Sequence, residues 1–371
     1  MPLGNRRATL TVASKEISTA VESCNKCHYV YLGYVQINGN RPKLGMRHVE
    51  DGGSALVEFG GNSIGQTIDS VRAYEPRGWC VLHGREGTTD VDNPSCVSMT
   101  IRNNQIGPSG NSPSFSTEPR GLGLTKDYTS GQWADGISLA CTQSHVYGNN
   151  ITDATDGGIV LFGAPGSHIY NNRIVAQSRV LMGGINMVDF DPYKGNFTGV
   201  VVENNTLHTD GSMIKVGIAM GTMVWWSKNS TSRRPYNGVV QDNYFTSSND
   251  GYFGYGIAVA GYNSTVIQRN TFSPEVKFDG VITPKCIPRH TPPNPRNLTY
   301  DPTTTHDVTI QATSSTDSLC HVICIGPLGS EGGTRFEIFI SYPSGANLFL
   351  RFRVDPKTSE SFICQETLVY T

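Results

Sequence analysis

A short motif built around asparagine recurs six times in the middle of the chain and constrains its fold more than any other feature. Each copy has an apolar residue, two free positions, Asn, one free position and a second apolar residue: Ile101-Asn104-Ile106, Val146-Asn149-Ile151, Ile169-Asn172-Ile174, Val202-Asn205-Leu207, Val240-Asn243-Phe245 and Ile267-Asn270-Phe272. Successive Asn residues are 45, 23, 33, 38 and 27 positions apart. Such irregular spacing predicts stacked coils of constant cross-section that carry loops of different length.

A second motif, Gly-Ile-x-apolar, lies between successive Asn motifs and predicts a further short strand in each coil. Its five copies begin at Gly136, Gly158, Gly184, Gly217 and Gly256. Two segments per coil that alternate apolar with small or polar residues place their apolar side chains in a shared interior. Asn tolerates the left-handed backbone region at a tight turn, and amides stacked about 4.8 Å apart can hydrogen-bond as a ladder.

With these motifs the chain resembles the pectin-lyase-like superfamily of right-handed parallel β-helix proteins, of the secreted, carbohydrate-active type. The resemblance covers about half of the chain and implies an all-β fold, a right-handed parallel β-helix. It names no activity, because the superfamily includes pectate lyases, polygalacturonases, pectin methylesterases, epimerases and phage tailspikes. The polygalacturonase motifs Asn-Thr-Asp, Asp-Asp, Gly-His-Gly and Arg-Ile-Lys do not occur in the sequence.

The sequence predicts four regions. They are an N-terminal cap with the first coils (1–96), the parallel β-helix core (97–283), a proline-rich linker (284–303) and a small C-terminal β appendage (304–371). Alternating runs at 336–340 and 348–352, separated by Pro343-Ser344-Gly345, predict antiparallel strands in the appendage.

Charge and hydropathy exclude two classes of partner. The formal net charge is −2 and the sequence pI is near 6.5, so the chain lacks the basic field that binds nucleic acid or anionic membranes. No apolar window of 18 or more residues predicts a membrane span. We therefore expect a polysaccharide or oligosaccharide partner, neither nucleic acid nor membrane, and the sequence leaves the oligomeric state open.

The cysteines and sequons predict a secreted, extracellular glycoprotein, although residues 1–7 lack the apolar core of a secretory signal. Nine scattered cysteines predict several disulfides and one free thiol. Cys24-Asn-Lys-Cys27-His28 also has the spacing of a c-type haem attachment, and a structural zinc is a further alternative to a disulfide there. Glycosylation sequons begin at Asn150, Asn196, Asn204, Asn229, Asn263 and Asn297.

Alignment of the coils on Gly-Ile-x-apolar predicts one wall of the helix as the candidate catalytic face. The Gly column and the column Ser138, Val160, Asn186, Ala219 and Ala258 would face outward as a shallow trough for a polymer. Asp135, Asp156 and Lys215 lie on its lip, one or two residues before the aligned Gly. Neighbouring coils about 4.8 Å apart permit the carboxylate spacings of retaining and inverting glycosidases, whereas Asp-Gly is also an ordinary turn pair.

Two long loops predict the substrate-binding wall. They follow Gly184 and Gly217 and bring carboxylates together with large aromatic side chains. We predict Asp189 as a further catalytic residue, and as substrate-binding residues Trp133, Asn186, Asp191, Tyr193, Trp225 and Trp226. On a straight strand Asp189 would lie roughly 23 Å from Asp156, so the two can share a substrate only if the coil bends.

Three functions fit these residues. The first is an extracellular glycoside hydrolase that uses paired Asp residues on a polysaccharide. The second is a lyase or epimerase on uronic-acid polymers in which Lys215 removes the proton next to the carboxylate. The third is a non-catalytic glycan-binding or structural β-helix. We predict no metal site and no cofactor, except Ca²⁺ if the protein is a lyase.

Overall fold

The fold is a stack of coils that form three parallel β-sheets. The computed structural model describes residues 8–49, 51–87, 96–111, 133–225, 233–282, 292–317, 319 and 325–328, and the backbone of 337–341, 347–351 and 367–369. The chain visits the three sheets in turn, and each strand pairs in parallel with the strand of the next coil. The predicted all-β parallel β-helix is thus confirmed.

Strand bounds follow the coils along the axis. The strands of the first sheet are Thr9–Thr11, Gln36–Asn38, Arg72–Tyr74, Gln105–Ile106, Asn150–Thr152, Arg173–Ala176, Thr206–Asp210, Tyr244–Ser248 and Thr271–Phe272. Those of the second sheet are Val21–Glu22, Val57–Gly60, Cys80–Arg85, Asp135–Leu139, Gly157–Leu161, Leu181–Met187, Met213–Met220, Tyr252–Val259, Arg296–Tyr300 and Ser315–Thr316. Those of the third sheet are Tyr31–Gly33, Thr67–Asp69, Thr100–Arg102, His145–Tyr147, His168–Tyr170, Val201–Glu203, Val239–Gln241, Val266–Gln268 and Thr309–Ile310.

The interior is filled by one apolar side chain above another. In the third sheet the stacked positions are fully buried: Ile68, Ile101, Val146, Ile169, Val202, Val240 and Ile267. β-branched side chains suit such a column because they pack well on a pleated surface. The first and second sheets contribute matching columns, so a single apolar core runs along the axis.

The predicted asparagine ladder runs along the corner between the third and first sheets. The Nδ2 of each Asn donates to the side-chain oxygen of the next coil at 2.9–3.2 Å, from Asn104 through Asn270 to Gln311. Backbone N–H groups of the same residues donate to the same oxygens. The left-handed backbone lies one position earlier than predicted, at Asn103, Gly148, Asn171, Asn204, Asp242 and Arg269.

The β-helix extends beyond the predicted core of 97–283 in both directions. Its first strand begins at Thr9 and its last ends at Thr316. Arg296–Tyr300, which the sequence placed in the linker, pairs in parallel with Tyr252–Val259. In the predicted appendage, Glu337–Ser341 pairs antiparallel with Asn347–Arg351, as expected, and Asn347–Arg351 pairs with Thr367–Val369.

Further elements attach to this scaffold. Val281–Ile282 pairs antiparallel with Ile325–Gly326. Two four-residue α-helices, Arg41–Leu44 and Thr222–Trp225, lie in the connections. In the described ranges, neither is long and apolar enough to cross a membrane.

Two disulfides join cysteines of the described residues. Cys24 pairs with Cys27, which overturns the haem and zinc alternatives, and Cys96 pairs with Cys141. Cys80 is a buried free thiol. Cys286, Cys320, Cys324 and Cys364 lie outside the described residues. Disulfides persist in oxidising compartments, in line with the predicted use of cysteine.

We predict that the ladder makes a large contribution to stability. Asn205→Ala leaves the buried N–H and amide of Asn172 without their acceptor, so the free energy of unfolding should fall by about 3 kcal/mol or more. Denaturant titration of this variant beside Asn150→Ala, an exposed Asn outside the ladder, measures the effect. Equal midpoints for the two variants would show that the ladder contributes nothing specific.

Candidate active site

Part of the predicted catalytic wall is the outer side of the second sheet. Ser138 pairs with Val160 and Val160 with Asn186, so these residues form one column along the axis, as the sequence predicted. Ala219 and Ala258 continue it. The last two belong to a second apolar cluster, separate from the core, which covers this face of the sheet.

The predicted glycine trough is wrong, because that column faces the interior. A Cβ at these glycines would lie 2.4–2.8 Å from interior side chains of the first sheet: Gly136 against Ile151, Gly158 against Ile174, Gly184 against Leu207, Gly217 against Phe245 and Gly256 against Phe272. The following Ile also points inward, so strict alternation breaks at this point of each strand. The glycines allow the first and second sheets to approach closely.

The outward small residues stand one position earlier, where Gly157 pairs with Gly183. A Cβ on Gly157 would lie 3.0 Å from Oδ1 of Asp135 and 3.1 Å from Nδ2 of Asn186. A Cβ on Gly183 would overlap the Asn186 amide. These two glycines therefore make the space in which the Asp135 carboxyl and the Asn186 amide meet.

Asp135 is fixed by hydrogen bonds. Its Oδ1 accepts from the backbone N–H of Gly157 at 2.7 Å, and its Oδ2 accepts from the hydroxyl of Ser138 at 2.8 Å. The thiol of Cys80 lies 3.2 Å from that hydroxyl. Asn186 is 5% exposed, and its Oδ1 has no hydrogen-bond partner. Asp135 thus ties two coils together beside an amide oxygen that is available to a ligand.

Asp156 and Asp189 differ from Asp135 because nothing fixes their side chains. Asp156 directly precedes Gly157 and is half-buried, and Asp189 is 9% exposed just after Leu181–Met187. Within the described part of the chain, neither carboxyl has a hydrogen-bond or ion-pair partner. Asp153, by contrast, accepts from the backbone N–H groups of Gln177, Ser178 and Arg179, as a structural carboxylate does.

Burial raises the pKa of all three carboxyls. It raises the pKa of Asp156 to about 6, and burial together with the Asp156 and Asp191 charges raises the pKa of Asp189 to about 7. Burial, then Asp156, then Asp189 hold the pKa of Asp135 well above its usual value, against the hydrogen bonds from Ser138 and Gly157. Coulomb interactions weaken with distance, so the Asp156 charge, which acts on both Asp135 and Asp189, lies within interaction range of the other two carboxyls. We call these three charge-coupled residues the Asp cluster.

Lys215 lies on the same wall but outside this cluster. In the strand register, Asp156 is aligned with Met182 of the next coil, and Met182 is aligned with Lys215 of the coil after that. Lys215 therefore occupies the position of Asp156 two coils further on. Its side chain is 4% exposed, and burial alone lowers its pKa to about 7. No charge of the Asp cluster contributes to that shift.

The loop aromatics do not form the predicted exposed wall. Tyr193 is 1% exposed and its hydroxyl donates to the carbonyl of Ala140, and Trp225 is 6% exposed within the second apolar cluster. Both are therefore packing residues, which corrects their prediction as substrate-binding groups. Trp133 is half-buried against the same cluster, and Trp226 lies outside the described residues. The length of a loop does not show whether a given side chain in it is buried or exposed.

Asp191 is engaged in an ion pair rather than free at the surface. Its Oδ2 lies 3.4 Å from Nη1 of Arg233, whose guanidinium also stacks over the ring of Phe190 at 5.5 Å. Among the described residues, no group of three or more His, Cys, Asp or Glu side chains is arranged to hold a metal ion.

Two residues that the sequence analysis missed lie on the same wall. Trp79 is half-buried, and its ring meets that of His83 edge-on with centroids 4.8 Å apart. His83 pairs with Glu58 of the preceding coil and with Ser138 of the next, so it lies in the column that leads to Asn186. The signal in the sequence was the β-type run Trp79-Cys80-Val81-Leu82, which carries neither of the two repeat motifs.

The predicted glycosylation positions vary in exposure. Asn150 and Asn204 are exposed, whereas Asn196, Asn263 and Asn297 are half-buried. Asn229 lies outside the described residues. Glycosylation at these positions stays a prediction.

Comparison with known proteins agrees with this architecture. Residues 99–272 match the family model of the right-handed β-helix region. No curated protein sequence matches the chain. Among solved structures, the A-module of a mannuronan C-5 epimerase from Azotobacter vinelandii is 11% identical, covers 73% of this chain and 81% of its own, and has a TM-score of 0.18. At that TM-score it carries no argument about activity. Residues 99–272 thus match a right-handed β-helix region, and the chain has a right-handed parallel β-helix fold.

Proposed function

We propose that the protein is an extracellular glycoside hydrolase that cleaves a polysaccharide on the outer face of the second sheet. The observation that carries the proposal is that half-buried Asp156 and buried Asp189, from successive coils, have no structural partner among the described residues and interact through charge. Glycosidases use two such carboxyls, one as acid and one as base or nucleophile. The two disulfides support the extracellular location.

We assign the roles of acid and of base or nucleophile from the different surroundings of Asp189 and Asp156. Asp189 has the higher pKa, about 7, because the Asp156 charge adds to burial, so Asp189 suits the general acid that protonates the glycosidic oxygen. Asp156, with a pKa of about 6, suits the ionised base or nucleophile. Asp135 is a positioning residue, because its hydrogen bonds to Ser138 and Gly157 hold the adjoining backbone.

Contacts favour this function over a turn role for Asp156. A turn-forming Asp accepts hydrogen bonds from backbone N–H groups a few residues further on, as Asp301 does from Thr303. The Asp156 side chain accepts none in the described residues. Retention of a buried carboxyl that stabilises no turn is typical of a catalytic site.

A lyase or epimerase acting on uronic acids is the second candidate, and Lys215 favours it. With a pKa lowered to about 7, part of the Lys215 population is neutral near neutral pH and can accept a proton. Unsaturated products that absorb in the near ultraviolet, lost in Lys215→Met, would favour this candidate. Hydrolysis instead releases saturated reducing ends.

Reducing-end release from a panel of neutral and acidic polysaccharides tests the proposal. We expect hydrolysis of at least one polymer. Binding of a glycan without any turnover after long incubation would contradict hydrolysis and favour a non-catalytic binding protein.

Asp156→Asn and Asp189→Asn should each lower kcat/KM by about 10²- to 10⁴-fold with folding intact. Asp242→Asn is the matched control, because Asp242 lies on an exposed turn paired with Arg269. Substrates with an activated aryl leaving group need no protonation, so they should restore much of the rate to Asp189→Asn but not to Asp156→Asn. If Asp156→Asn melts several degrees earlier yet keeps full turnover, Asp156 is a turn residue.

The pH profile of kcat/KM should be bell-shaped and narrow. Activity should rise as the pH passes about 6, because Asp156 loses its proton, and fall above about 7, because Asp189 loses its own. Initial rates from pH 4 to 9 measure both limbs. A flat plateau from pH 5 to 9 would exclude this pair.

A further inference from the structure

Trp79 stands in line with Asp156 on the wall of the second sheet. Cys80 pairs with Asp135, and Asp135 accepts from the N–H of Gly157 in the next coil. Trp79 and Asp156, which precede Cys80 and Gly157, are therefore at equivalent positions two coils apart. Two coils correspond to about 9.6 Å along the axis. A polymer that reaches Asp156 along the helix axis passes Trp79.

Beside Trp79, His83 provides a polar side chain that makes no hydrogen bond to the described residues. It is 5% exposed, and neither ring nitrogen has a hydrogen-bond partner within the described ranges of the chain. Buried polar atoms in native proteins nearly always have partners, so an unpaired imidazole edge-on to a half-buried Trp ring is typical of a ligand site. Burial, followed by the Arg85 charge, lowers the pKa of His83 to about 3, so the ring is neutral and offers one donor and one acceptor.

The charges around Trp79 and Asp156 favour a neutral sugar over an acidic one. The outward positions of this wall are those of Trp79, Cys80 and His83 and their equivalents in the following coils. From the coil of Trp79 to the coil of Asn186, these positions carry Asp135 and Asp156 but no Lys or Arg among the described residues. Arg85, the cation that acts on His83, is bound to Glu58 at 2.7 Å and to Glu22 at 3.4 Å. A uronate bound between Trp79 and Asp156 would lie beside these carboxyls, whereas Lys215 stands two coils beyond Asp156.

We propose that Trp79 and His83 form a sugar subsite that binds an uncharged ring of the polymer cleaved at Asp156 and Asp189. The proposal rests on the proposed function and extends it to the substrate class, a neutral polysaccharide. The face of Trp79 stacks on the apolar face of the ring, and His83 hydrogen-bonds to a hydroxyl group.

Binding to the inactive Asp189→Asn protein tests the subsite independently of turnover. The probes are xylo-, cello- and galacto-oligosaccharides and, as the acidic counterpart, oligogalacturonate, measured by titration calorimetry. We expect at least one neutral series to bind and oligogalacturonate to bind at least ten-fold more weakly. Adding Trp79→Ala should weaken the neutral ligand roughly ten-fold, and Trp79→Phe less.

Tyr147→Ala is the matched control, because Tyr147 is a surface aromatic stacked on Tyr170 in the third sheet. It should leave affinity unchanged, and the Trp79→Phe variant keeps the test valid if Trp79→Ala fails to fold. Unchanged affinity in the Trp79 variants, preference for oligogalacturonate, or no binding of any probe would overturn the subsite. Neutral binding that depends on Trp79 without turnover in the native protein would support the subsite and refute only the hydrolase. Hydrolysis that is unaffected by Trp79→Ala would do the reverse.

Discussion

The amide ladder at the corner between the third and first sheets is the interaction on which the rest of the structure depends. Each Asn side chain is bonded to the coil before and the coil after, which leaves its buried backbone N–H satisfied as well. A slip of one residue in any coil would break this chain of bonds and turn its apolar side chains outward. The ladder therefore fixes a common register. Because of that register, residues far apart in sequence, such as Ser138 and Asn186, occupy one column.

The burial of carboxyls in the candidate site lowers the stability of the folded protein. Asp156 and Asp189 are held away from water, and no cation neutralises them among the described residues. Their pKa values are higher in the folded protein than in the unfolded chain, so their contribution to stability is greatest below pH 4. That contribution is lost as the pH rises through about 6 and about 7. A rigid scaffold tolerates such a cost, and the same burial gives the two carboxyls the pKa values that acid–base chemistry needs.

The repeats predicted the ladder, the parallel sheets and the common wall of Asp135, Asp156 and Lys215, and they left open whether Asp189 shares it. Other features could not be predicted, because they depend on local departures from regular geometry. The inward turn of Gly158 breaks the alternation on which the glycine trough was based. The loop side chains Tyr193 and Trp225 took buried positions, Trp225 within the second apolar cluster and Tyr193 with its hydroxyl on the Ala140 carbonyl. Trp79 was missed because its coil lacks both repeat motifs, and only the strand register relates it to Asp156.

The central claim is that burial and neighbouring charges raise the pKa values of Asp156 and Asp189, two carboxyls without structural partners among the described residues, above those of surface aspartates. Carbon-13 NMR titration of the Asp side-chain carboxyls measures this directly, with the two resonances assigned from Asp156→Asn and Asp189→Asn. The account predicts midpoints of about 6 for Asp156 and about 7 for Asp189, and a midpoint below the usual value for Asp242, which is hydrogen-bonded to Arg269. Midpoints for Asp156 and Asp189 near the ordinary aspartate value of about 3.9 would contradict it.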